Sequence, residues 1–179
     1  MASGVTFIIG GARSGKSRFA LNEASKMQGK KAYIATAEAL DEEMMKRIER
    51  HKRERPADWD TYEEPLNISP LLEEIKERYD VIIIDCLTLW LSNILLSRER
   101  FNEDIERFLF TLKGYKGSSA LIIVSNEVGM GIVPDSEMAR HFRDMAGFLN
   151  QRVAEIADEV YLVVAGIPLK IKGEVLCLG

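Results

Sequence analysis

The sequence predicts an α/β fold, a mostly parallel central sheet with helices on both faces, and three observations carry that expectation. Val5–Ile9, Val81–Ile84 and Ala120–Val124 are apolar runs with no polar alternation. Longer amphipathic stretches separate them. The first run leads straight into a glycine-rich loop and then a helical pattern. Strands that are apolar throughout are strands buried on both faces, as in a parallel sheet under two helical layers.

The elements follow in order. Val5–Ile9 reads as a buried strand and Ser14–Met27 as the helix after it. Lys31–Thr36 is a second strand. Asp41–Arg53 is helical, with Met44 and Ile48 four apart and Pro56 closing the segment. Leu66–Arg78 reads as a helix, Val81–Ile84 as a strand, and Leu87–Leu96 and Asn102–Lys113 as two further helices. Ala120–Val124 is a strand, Ser136–Ala157 a long helix, and Val160–Ala165 a strand. The tail from Leu169 to Leu178 alternates about Lys172-Gly173, which predicts a terminal hairpin. There is no internal repeat, low-complexity segment or linker, so residues 1–179 are expected to form one domain.

Gly10-Gly11-Ala12-Arg13-Ser14-Gly15-Lys16-Ser17 fits G-x-x-x-x-G-K-[ST] at every fixed position. Glycines let the backbone curl and aim several N–H groups at one anion. Lys16 then reaches the β- and γ-phosphates, Ser17 offers a hydroxyl to Mg²⁺, and the helix that starts here adds its positive end. The competing reading, a chance glycine-rich turn, ignores the strand before the loop and the helix after it. The expected fold is therefore three-layered and P-loop NTPase-like. Val81–Ile84 ends in Asp85, a carboxylate at the C-terminal edge of the sheet, where such folds hold Mg²⁺. On its own, Asp85 reads equally well as a strand-end cap.

A net charge of −4 gives no general attraction to nucleic acid or an anionic membrane. Cys86 and Cys177 have neither zinc-site nor disulfide spacing, which points to a reduced protein. No leader pattern opens the chain and no apolar run approaches the roughly 18 residues of a membrane span. The expectation is a soluble, cytoplasmic protein.

One segment departs from the acidic average. Lys46, Arg47, Arg50, Lys52, Arg53 and Arg55 stand against Glu49 and Glu54, and His51 sits among them. Helical spacing aligns Arg47 with His51, and with Arg55 if the helix persists. Neighbouring cations disfavour protonation of the imidazole, so His51 could attack phosphorus as a nucleophile. Because Met44 and Ile48 share that face, a half-buried structural histidine fits the spacing as well. Asn126, Glu127, Gly129 and Gly131 follow an apolar strand at the sheet edge where α/β proteins bind ligands, which suggests a substrate-side or gating loop. His141 reads as structural.

These strings resemble the bifunctional adenosylcobinamide kinase/adenosylcobinamide-phosphate guanylyltransferases of cobalamin biosynthesis. The resemblance runs over nearly the whole chain: G-G-A-R-S-G-K-S at Gly10–Ser17, Y-I-A-T-A at Tyr33–Ala37, R-I-E-R-H-K-R-E-R-P at Arg47–Pro56, and N-E-V-G-M-G-I-V-P at Asn126–Pro134. It matches least from Ser97 to Ser118. It implies phosphorylation of adenosylcobinamide, then transfer of GMP from GTP onto that phosphate through a covalent intermediate on His51. It also implies nucleotide contacts at Gly10, Gly11, Ala12, Arg13, Ser14, Gly15, Lys16, Ser17, Ala35, Thr36, Ala37, Lys52, Arg53, Glu54, Arg55, Glu63 and Asp85. The implied ligands are GTP (or ATP in the kinase step) and Mg²⁺ on Ser17 and Asp85, with Lys16 and His51 in the chemistry. A homo-oligomer, the family's trimer, is implied too. Two alternatives stay open: a small-molecule kinase without a covalent step, and a GTP-binding regulator with negligible turnover.

Overall fold

A computed structural model describes residues 4–39, 41–115 and 119–173, apart from the side chains of Arg47 and Glu54. The strands are β1 (Val5–Gly10), β2 (Lys31–Ala35), β3 (Asp60–Glu63), β4 (Val81–Asp85), β5 (Ala120–Asn126), β6 (Glu159–Val164) and β7 (Ile167–Lys172). The helices are α1 (Lys16–Ser25), α2 (Glu42–Glu54), α3 (Ile68–Ile75), α4 (Leu87–Ser97), α5 (Phe101–Lys113) and α6 (Glu137–Ile156). The strands form one sheet in the order β3-β2-β4-β5-β1-β6-β7, parallel except for β7.

Alternation along the strands divides the core. Phe7, Ile34, Ile82, Ile84, Leu121 and Ile123 face the side covered by α3, α4, α5 and α6, with Leu72, Trp90, Phe108 and Leu149 among their neighbours. Ile8, Tyr33, Ala35, Ile83, Ile122 and Val124 face the other side, where Ala20 and Ala24 of α1 lie close against the sheet. Small residues on α1 let it approach the strands that carry the loop before it. No described side chain of α2 is buried, so this helix contributes to neither buried layer.

Two local features depart from expectation. β3 was not anticipated: D-T-Y-E is polar, and as an edge strand it pairs only with β2. The C-terminal hairpin is present, but its turn is Ala165-Gly166, both at positive φ (51° and 81°), the conformation a two-residue hairpin turn requires. Lys172-Gly173 instead ends β7, and residues 174–178 of the expected hairpin lie outside the described residues, as does Cys177.

Candidate active site

The loop between β1 and α1 is a curled cradle. Arg13 (φ 57°) and Gly15 (φ 97°) are left-handed, which bends successive amides inward. Gly15 is the N-cap of α1, a position where no side chain bonds the helix and a ligand can meet its first N–H groups. A Cβ on Gly10 would fall 2.4 Å from the Val163 carbonyl oxygen. Gly166 in the β6–β7 turn donates its N–H to the Ser14 carbonyl oxygen (2.8 Å) and braces the loop from outside. Lys16 is 6% exposed, and its ammonium donates to the Gly11 carbonyl oxygen at 2.7 Å.

This cradle opens into a cavity of about 1000 Å³. Arg13–Arg18 line it, as do Met44, Ile48, Arg50 and His51 of α2. Asp41 caps α2 by accepting from the Met44 N–H at 2.7 Å. At its other end, Pro56 forces the residue before it out of the helical region, so Arg55 is extended (ψ 139°) and leaves the helix. The expected row therefore does not continue as helix to Arg55, and the side chain of Arg47 lies outside the described residues. Arg55 reaches the cavity by this turn instead. Its guanidinium stacks on Tyr33, 4.2 Å from the ring centroid, and its buried Nε and Nη1 have no hydrogen-bond partner among the described residues. The buried Ser14 hydroxyl is likewise unpartnered. Buried donors left unspent are costly unless an anion satisfies them.

Asp85 lines the cavity floor at the end of β4, in register with Ala35. The Tyr33 hydroxyl donates to Asp85 Oδ2 at 2.7 Å. Burial first, and then the Asp85 charge, hold the Tyr33 pKa well above its ordinary value, so the phenol remains a donor. Cys86, next in sequence, has its thiol pushed up to about 12, chiefly by burial, and is not a nucleophile at neutral pH. The residues fit Mg²⁺: one hydroxyl (Ser17) and one carboxylate (Asp85) line the same cavity. Among the described residues no group of three or more His, Cys, Asp or Glu is placed to hold a metal ion. That sparse, all-oxygen set suits an ion that keeps water and phosphate oxygens as its other ligands.

The remaining expected contacts divide. Ala35 and Ala37 line the cavity. Thr36 is not among the lining residues. It is fully buried, and its hydroxyl donates to the Cys86 carbonyl oxygen and accepts from the Cys86 N–H, both at 2.8 Å. Gly10, Gly11 and Ala12 are not among the lining residues, but the Gly11 carbonyl oxygen accepts from the Lys16 ammonium and the Ser14 N–H. Lys52 and Glu63 form an exposed ion pair, and Arg53 is exposed; none of the three is among the cavity's lining residues. The side chain of Glu54 lies outside the described residues. Asn126 lines the cavity, Glu127 and Gly129 bond to one another, and His141 is exposed on α6. Sequence reasoning missed Tyr33, Gly166 and Asn93 as parts of the site's frame. Asn93 donates from Nδ2 to the Thr36 carbonyl oxygen (2.7 Å) and the Pro65 carbonyl oxygen (3.2 Å).

The sequence profile described as cobinamide kinase / cobinamide phosphate guanyltransferase matches residues 6–171. The chain belongs to that family. It is 45% identical over 171 residues to the bifunctional adenosylcobalamin biosynthesis protein CobP of Pseudomonas aeruginosa, covering 94% of this chain and 98% of the relative. It is 40% identical to CobU of Salmonella typhimurium, over 92% and 98% of the two chains. Among solved structures, RadB recombinase has a similar fold at 15% identity (TM-score 0.51, 89% of this chain and 73% of that one). A protein from Pyrococcus horikoshii OT3 does too, at 8% identity (TM-score 0.57, 98% and 90%). At these identities the structural likeness concerns the fold alone.

Proposed function

We propose that one nucleotide cavity serves both reactions in the family's description. The first moves a terminal phosphoryl group from GTP or ATP to the hydroxyl of adenosylcobinamide. The second moves GMP from GTP onto the resulting phosphate, yielding adenosyl-GDP-cobinamide and pyrophosphate. The observation that carries this reading is that His51 and the phosphate cradle line one and the same cavity.

In the first half of the transfer, an unprotonated imidazole nitrogen of His51 forms a bond to the α-phosphorus. The bond from that phosphorus to the bridging oxygen breaks, pyrophosphate leaves, and the second ring nitrogen gives up its proton to solvent. In the second half, a phosphate oxygen of adenosylcobinamide phosphate attacks the same phosphorus, the P–N bond breaks, and the ring takes a proton back from solvent to regenerate the neutral imidazole. Splitting one displacement into two is the advantage of covalent catalysis. Lys16 and the cradle amides stabilise charge on the departing phosphates. Arg55, with its unspent buried donors, binds a phosphate oxygen on the His51 side of the cavity. Mg²⁺ on Ser17 and Asp85 would supply neutralising charge at the phosphate oxygens.

Lys52 and Glu63 belong to the same proposal as outer nucleotide contacts, with the base exchanging for their ion pair. A homo-oligomeric, cytoplasmic protein completes the reading, on the resemblance alone; sedimentation of the purified chain tests the oligomer. No helix of the described residues is long and apolar enough to cross a membrane.

The test is turnover. Purified protein, adenosylcobinamide, Mg²⁺ and GTP should yield first a phosphorylated and then a guanylylated corrinoid by mass, with pyrophosphate released in the second step. Accumulation of the phosphate alone would leave a simple kinase. GTP binding with no corrinoid product would leave a regulator.

A further inference from the structure

We propose that Tyr33 positions the two charged ends of the nucleotide site, its ring seating Arg55 and its hydroxyl holding Asp85. This rests on the nucleotide reading above and extends it to a residue outside the expected contacts.

Strand alternation places Tyr33 on the α1 face of the sheet, two residues before Ala35. Ala35 pairs in register with Asp85, so Tyr33 lies two residue pairs back from the carboxylate on the neighbouring strand, in register with Ile83. From there the phenol reaches forward to Asp85 Oδ2 at 2.7 Å. Ala35 has only a methyl group and leaves that path open. The ring's open face carries the Arg55 guanidinium at 4.2 Å. Tyr33 is 3% exposed yet lines the cavity, so it acts as a rigid floor to it.

One side chain thus fixes two groups of opposite charge that meet different parts of the ligand. Asp85 serves the cation at the cradle; Arg55 serves the phosphate nearest His51. Arg55 needs the ring because Pro56 has turned it out of the helix, which leaves no helical neighbour to hold it. The stack spends the ring face and none of the guanidinium N–H groups, so Nε and Nη1 stay available to a phosphate. Groups that orient a metal-binding carboxylate typically change metal affinity by about 10- to 100-fold when removed. A structural aromatic would give the same packing as phenylalanine and bind neither group in particular.

The experiment measures GTP affinity by titration calorimetry, in Mg²⁺ and in EDTA, for the wild type, Tyr33→Phe and Tyr33→Leu. Thermal unfolding checks that each variant is folded. Tyr33→Phe keeps the ring, so its Mg²⁺–GTP affinity should fall on the order of ten-fold while its metal-free affinity stays within about two-fold. Tyr33→Leu should weaken the metal-free complex as well, by about three-fold or more, because Arg55 loses its seat. On an Asp85→Asn background, Tyr33→Phe should add nothing. Equal weakening in Mg²⁺ and EDTA, additive losses with Asp85→Asn, or a Tyr33→Phe variant that binds like the wild type would overturn the proposal. A wild type that binds no nucleotide at all would sink the nucleotide reading itself.

Discussion

Asn93 offers the most quantitative check on how the frame holds His51. Residues 37–64 leave the sheet after β2, carry α2, and return through β3 to the loop before α3. Asn93, buried on α4, donates to the Thr36 and Pro65 carbonyl oxygens, the two ends of that excursion. Asn93→Ala removes both bonds. The Thr36 carbonyl lies in a fully buried residue and would be left unsatisfied, at about 1–3 kcal/mol. Pro65 is only half-buried, so water can replace the amide there at a net loss of about 0.5–1 kcal/mol. The expected destabilisation is about 1.5–4 kcal/mol, read from denaturant midpoints at constant slope. Amide exchange within α2 should quicken by a similar factor, since both ends of its tether are released. A loss below about 1 kcal/mol, with α2 exchange unchanged, would show that the latch does not hold the excursion.

Three further outcomes follow from the site. Gly10→Ala places a Cβ 2.4 Å from the Val163 carbonyl oxygen and 2.8 Å from Ser14 Oγ, so the strand or the cradle must shift. It should cost about 1–3 kcal/mol and lower the melting temperature by several degrees, with nucleotide affinity falling in parallel. Lys16→Ala should reduce both the kinase and guanylylation rates by about 100-fold or more, measured separately with γ- and α-labelled nucleotide, while the melting temperature without nucleotide changes little. At high pH, Cys86 has its thiol raised from 9.0 to about 12, and Tyr33, Tyr115 and Tyr161 are also raised, each mainly by burial. A raised pKa means the fold favours the protonated form, so this stability is intact below pH 9 and declines from there towards pH 12. Unfolding free energy should drop across that window, and iodoacetamide should modify Cys86 slowly at pH 9 in a Cys177→Ser background. A flat stability profile would refute the assignment.

The fold's centre was legible because its strands are apolar on both faces. β1, β4 and β5 stand out as unbroken runs, and the loop after β1 declares its chemistry by spelling. What escaped has physical causes. β3 is four polar residues on an edge, where only one side needs a partner and neither face demands an apolar run. The hairpin turn was misplaced because Ala165 adopts positive φ, which alanine does rarely. Strand order lies outside what a single sequence encodes locally, so nothing in K-A-Y-I-A-T placed Tyr33 against Asp85. Arg55 was partly legible: Pro56 signalled that the helix must end, and the structure adds that this ending swings the guanidinium onto Tyr33. The pairing of the Thr36 hydroxyl with the Cys86 backbone was not legible either, because it joins residues 50 apart in sequence.

The central claim is that His51, which lines the same cavity as the cradle, carries the nucleotidyl group. The most direct measurement is incubation with Mg²⁺ and GTP labelled at the α-phosphate, followed by denaturation and mapping of the modified peptide by mass. An acid-labile GMP adduct on His51, absent in His51→Ala and absent with γ-label, is the expected result. A wild type that phosphorylates adenosylcobinamide yet acquires no α-label, or an adduct that persists in His51→Ala, would contradict it.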